Sequence, residues 1–153
     1  MEEVYKQVEE LIEFIKKEMK EMYLNAEKVF LNGNCGNLYM IFAKQFPKYT
    51  TPYLISYKGV PYHMVSRIGE RFYDITGETS LDKYSDKMAE LNKDMKVDKN
   101  DFDIRQLSVA DDIIRFKRMC NMYRYNDDYE QSEIENEMNA LLRKIEKRNS
   151  RER

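Results

Sequence analysis

Apolar residues recur along the first two dozen positions at Val4, Val8, Leu11, Ile12, Ile15, Met19 and Met22, with Glu and Lys between them. Steps of three and four set these side chains on one stripe. Residues 1 to about 24 are therefore expected to form an amphipathic helix of about six turns laid on a core. Leu38, Ile41 and Phe42, flanked by Tyr39 and Phe46, repeat the helical step over a shorter stretch that Pro47 stops. The period then changes. Residues 51–57, 60–68 and 71–76 are rich in β-branched and aromatic side chains and are split by Lys58-Gly59 and Gly69-Glu70. X-Gly suits a type I′ turn and Gly-X a type II′ turn, which predicts a three-stranded antiparallel meander. Pro61 has no N–H to give the ladder, so its position should face outward or lie at a bulge.

From Ser80 onward the pattern is helical again. One helix is expected over 83–91, followed by a polar loop over 92–103. Ser108 can cap a second helix running to about residue 125, with Val109, Ile113, Phe116 and Cys120 along it. The last helix, from about 128 to 148, carries Ile134, Met138, Leu141, Leu142 and Ile145. This spacing fits hairpin or coiled-coil packing, and self-association through the terminal helices is one use for it. The fold class is α+β in one domain, 1–153. A helix-plus-meander core occupies 29–78, with flanking helices in 1–24 and 80–148.

Composition narrows the function. Charged residues make up 35% of the chain, yet the net charge is only -2, which disfavours a protein built to grip nucleic acid. The one basic cluster, Arg143, Lys144, Lys147, Arg148, Arg151 and Arg153, reads as a solvated helix end with cations near its C-terminal dipole. No apolar run is long enough to cross a bilayer, and the charge-alternating N-terminus does not read as a secretory signal, so a cytoplasmic location without membrane partners is expected. Two cysteines and one histidine make neither a disulfide scaffold nor a zinc ligand set. No metal and no cofactor are expected, and both thiols should be reduced. Cys120, between Met119 and Asn121, reads as core packing.

Cys35 follows Asn32-Gly33-Asn34, a turn and helix-start signal, and so should sit where the helix dipole favours a thiolate. The backbone N–H of Cys35 or Gly36, with a side-chain donor from Asn32 or Asn34, would face a developing oxyanion. His63, the single histidine, is the base by elimination. With Gly69-Glu70 as a two-residue loop, Ile68 faces Arg71, Arg67 faces Phe72, Ser66 faces Tyr73 and Val65 faces Asp74. His63, Val65 and Arg67 then share a face with Phe72, Asp74 and Thr76. Asp74 lies diagonal to His63, where it can hold the imidazole's tautomer. Read alone, Asp74 is a strand-end residue capping toward Thr76-Gly77.

This order of parts resembles the minimal core of papain-like peptidases, transglutaminase-like proteins, NlpC-type amidases and arylamine N-acetyltransferases. In those families a Cys opens a helix, a His lies on a following strand and an acidic or amide residue on the next. Here the parts are Asn32 to Gly36, Tyr62-His63-Met64-Val65 and Phe72-Tyr73-Asp74-Ile75-Thr76-Gly77. The narrower pattern is an NGNC helix start, a Phe-Pro at that helix's end, a His-x-Val strand and a Tyr-Asp-x-x-Gly strand. It resembles small proteins common in bacteriophage genomes and covers about residues 30–77. The interval from Cys35 to His63 is much shorter than in full-sized papain-like enzymes, leaving little room for substrate-binding loops. The resemblance implies a cysteine hydrolase of peptidase, amidase or deamidase type, working on a protein or peptide in the host cytoplasm. Two alternatives stand beside it: a non-catalytic phage-type effector that binds a host protein, and an acyltransferase.

Overall fold

The structure is a computed structural model and describes residues 1–31, 34–91, 93–94, 96–108 and 131–151. The helix expected to follow Ser108 as far as about residue 125, with Cys120, lies outside the described residues.

Helix α1 (Glu2–Glu21) buries Val8, Leu11, Ile12, Ile15 and Met19 of the expected stripe, adds Tyr5 to it, and leaves Val4 and Met22 partly buried. Each aliphatic side chain so buried contributes roughly 1.5–3 kcal/mol. The helix closes with the Leu24 N–H donating to the Met19 carbonyl at 2.9 Å, across Tyr23 in the left-handed region at φ 61°. A short helix α2 (Ala26–Leu31) follows, then α3 (Cys35–Gln45), which the Phe46-Pro47 step ends. The last described helix, α5 (Gln131–Arg151), buries Ile134, Met138, Leu141 and Ile145. The stripes of α1 and α5 enter one shared core cluster inside the chain, together with Phe30, Phe42, Ile68, Tyr73 and Ile75.

Strands β1 (Thr50–Tyr57), β2 (Val60–Ile68), β3 (Arg71–Asp74), β4 (Gly77–Thr79) and β5 (Phe102–Gln106) form an antiparallel sheet in the order β4-β3-β2-β1-β5. The expected three-stranded meander is its centre, and the strand count is corrected to five. Strand β4 is only three residues long and returns from β3 through a tight turn at Ile75-Thr76, so the expected third strand over 71–76 stops at Asp74. Strand β5 takes the end of the stretch expected to be a loop. It alternates Phe102 and Ile104 with Asp103 and Arg105 and pairs along one side with β1, as a polar edge strand does.

The turn chemistry holds at both hairpins. Lys58 and Gly59 both take positive φ, at 51° and 77°, as type I′ requires, whereas only Gly69 does so in the second loop, at 63°. The β1–β2 register shifts after Ile55, so that Ile55 pairs with His63 and Ser56 with Pro61. A bulge thus takes up Tyr62 beside Pro61, immediately before His63.

The sheet is covered on both sides. Leu54, Met64, Ile68 and Tyr73 pack with α1, α3 and α5, whereas Ile55, Val65, Tyr53, Phe72 and Phe102 pack with Leu81, Tyr84 and Met88. Those last three belong to α4 (Leu81–Leu91), whose first turn is capped by the Ser80 hydroxyl accepting from the Lys83 N–H at 3.1 Å. Among the described residues no helix is long and apolar enough to cross a membrane.

Candidate active site

The second hairpin delivers the register read from its turn: Ile68 pairs with Arg71, Arg67 with Phe72 and Ser66 with Tyr73. The ladder ends there. Asp74 pairs with Gly77 of β4 instead of with Val65, and the expected Val65–Asp74 pair is not formed. Alternation still turns Asp74 and His63 to the α4 side of the sheet, and their side chains meet. His63 Nε2 lies 3.4 Å from Asp74 Oδ2, with both side chains buried.

The other carboxylate oxygen has its own partners. Asp74 Oδ1 accepts the Thr76 N–H at 2.8 Å and the Thr76 hydroxyl as well. This Asx-type turn bends the chain from β3 into β4. Burial alone would raise the Asp74 carboxyl's pKa, but the hydrogen bond and charge of His63, aided by Thr76, outweigh it and hold the group below the ordinary carboxylate range.

Cys35 is the first residue of α3 and packs with Tyr39, Leu54, Met64 and Leu107. Its sulfur accepts the Met64 N–H at 3.3 Å. The strand residue that follows His63 therefore carries the donor to Cys35, just beyond the point where the pairing of β2 with β3 stops. An N–H aimed at sulfur and the N-terminus of a helix both favour negative charge there. His63 Nδ1 is buried with no hydrogen-bond partner among the described residues, Cys35 Sγ included. The structure thus joins His63 to Asp74 directly and brings Cys35 to the adjacent peptide.

Asn34 takes the N-cap position of α3, but its side chain makes no capping bond to the helix backbone. Its Oδ1 accepts from Asn37 Nδ2 at 3.0 Å. The Asn34 carbonyl instead receives the Asn37 and Leu38 N–H groups, at 3.0 and 3.3 Å. The Cys35 and Gly36 N–H groups precede the helix ladder, where no intrahelical acceptor exists for them. Asn32 and Gly33 lie outside the described residues.

Tyr84 of α4 was not marked by sequence. Its ring stacks on the His63 imidazole with centroids 4.8 Å apart and planes 6° from parallel. Burial pushes the Tyr84 phenol far above its ordinary value, and negative charge on Cys35, Tyr62 and Asp74 adds to the shift. Among the described residues no group of three or more His, Cys, Asp or Glu side chains is arranged to hold a metal ion.

A family model described as Phage YunG-like protein matches residues 9–139, well over half of the chain. The chain belongs to this family. It is thus a phage-type protein, and the family match takes in α3, the whole sheet and α4, hence Cys35, His63, Asp74 and Tyr84. No curated protein and no solved structure matches it.

Proposed function

We propose that this YunG-like protein is a small cysteine hydrolase with a papain-like core, acting on an amide or isopeptide-type acyl group of a protein or peptide. The observation that carries the reading is the division of labour on His63. One ring nitrogen faces a buried carboxylate, and the other is buried without a partner beside the strand residue that holds Cys35. An imidazole so held keeps its N–H on Nε2 and its lone pair on Nδ1.

In the reaction Nδ1 takes the Cys35 proton as the sulfur attacks the acyl carbon. The carbonyl π electrons pass to oxygen, for which the first-turn N–H groups of Cys35 and Gly36 would serve as donors. The imidazolium returns its proton to the leaving amine as the C–N bond breaks. Water, deprotonated by the same nitrogen, then hydrolyses the thioester and regenerates the thiol. A sulfur not yet bonded to Nδ1 fits a resting site, because catalytic hydrogen bonds tighten in the substrate complex.

The test is a panel of fluorogenic amide, isopeptide and thioester substrates. Wild type should turn over at least one of them, and folded Cys35→Ala and His63→Ala should not. Turnover unchanged in Cys35→Ala would overturn the reading.

One observation favours a second reading. Cys35, His63 and Asp74 are only 3%, 1% and 3% exposed, the burial of a core and not of an open cleft. A phage effector that binds a host protein on this scaffold, without catalysis, would retain partner binding in Cys35→Ala.

A further inference from the structure

His63 is the single histidine, and its ring must hold one orientation if Nε2 is to stay on Asp74 while Nδ1 serves sulfur. One hydrogen bond of 3.4 Å is a weak restraint on a ring that can turn about its Cβ–Cγ bond. The second restraint comes from α4, on the same side of the sheet as the imidazole. Tyr84 lies flat on the imidazole, and Tyr84 is itself wedged edge-on by Phe102 of β5, with centroids 6.1 Å apart and planes at 90°. Phe102 in turn packs against Tyr57 of β1 at 4.7 Å. An imidazole covered in this way cannot tilt toward α4 unless Tyr84 moves first.

We propose that Tyr84 is a positioning residue for His63, its ring fixing the plane of the imidazole that serves Cys35 and thereby keeping Nε2 on Asp74, which sets the tautomer. This role rests on the reading of Cys35 and His63 as nucleophile and base. The stack acts in two ways. It holds the imidazole in the plane in which Nε2 reaches Asp74, so that the hydrogen bond to the carboxylate can select the tautomer. It also places a π face against the ring that takes the thiol proton. The phenol, kept neutral by its burial, adds no competing negative charge.

The experiment compares wild type, Tyr84→Phe and Tyr84→Leu by His63 imidazole NMR and by the rate of Cys35 alkylation with iodoacetamide. In wild type and Tyr84→Phe the imidazole protons should be displaced upfield by the stacked ring, with the nitrogen shifts of one tautomer protonated on Nε2. Tyr84→Phe should alkylate within about twofold of wild type, whereas Tyr84→Leu should mix tautomers and slow by about tenfold or more. Tyr84→Leu that keeps one tautomer and the wild-type rate would overturn the role. So would ordinary, unshifted imidazole protons in wild type, which decides the matter even where Tyr84→Leu fails to fold. Alkylation of wild type no faster than of His63→Ala would instead overturn the nucleophile–base reading, and the role of Tyr84 with it.

Discussion

Asp74 serves two neighbours at once: Oδ1 holds the Thr76 turn and Oδ2 faces His63 Nε2 at 3.4 Å. The structural use and the chemical use of this carboxylate are separable by oxygen. Asp74→Ala removes both and leaves the Thr76 N–H and the imidazole without their acceptor. It should destabilise the protein by about 3 kcal/mol, measured by urea unfolding.

Asp74→Asn keeps the shape and removes the charge. It should leave the fold standing but reduce Cys35-dependent turnover by about 10²-fold, because an amide no longer stabilises the imidazolium. Turnover at the wild-type level would show that the His63–Asp74 contact plays no part in catalysis.

The same carboxylate predicts a pH dependence. Its folded-state pKa lies below the unfolded value, so its stabilisation is fully present above roughly pH 4 and is lost as pH falls through the folded value. Urea unfolding of wild type and Asp74→Asn from pH 6 downward should therefore show a stability gap that narrows below pH 4. A gap that stays constant into the acid range would contradict the assignment.

Thr76→Val deletes the hydroxyl but retains the backbone N–H to Oδ1. A loss of about 1 kcal/mol is expected, smaller than for Asp74→Ala. Turnover should fall less than in Asp74→Asn, since Oδ2 keeps its place.

Gly69→Ala probes the packing of α1 on the hairpin. Gly69 has φ 63°, and a Cβ there would press on the Met1 and Tyr5 side chains; the Tyr5 hydroxyl also accepts the Glu70 N–H at 3.1 Å. Strain and crowding together should cost about 2 kcal/mol, read as a lower urea midpoint with an unchanged slope.

Much of this arrangement was legible in the chain because local chemistry fixes it. Gly69-Glu70 sets the β2–β3 register from Ser66 to Tyr73, and alternation then puts His63 and Asp74 on one face. Asn34 marks the start of α3, and with it the place of Cys35. What was not legible depends on partners far along the chain. The start of β5, Phe102 and Asp103, reads as the end of a polar loop because the reason for its being extended is β1. Tyr84 looks like any helical tyrosine, since only packing of α4 on the sheet lays it over His63. The Val65–Asp74 pair is not formed: the Thr76 turn ends β3 at Asp74 and pairs it with Gly77 of β4.

The most direct measurement is the rate at which iodoacetamide alkylates Cys35 and Cys120 in the folded protein at neutral pH, resolved by peptide mapping. Cys35 should react at least about tenfold faster than Cys120, and His63→Ala should abolish the difference. Equal, slow alkylation of both thiols, unchanged in His63→Ala, would contradict a thiol nucleophile at Cys35.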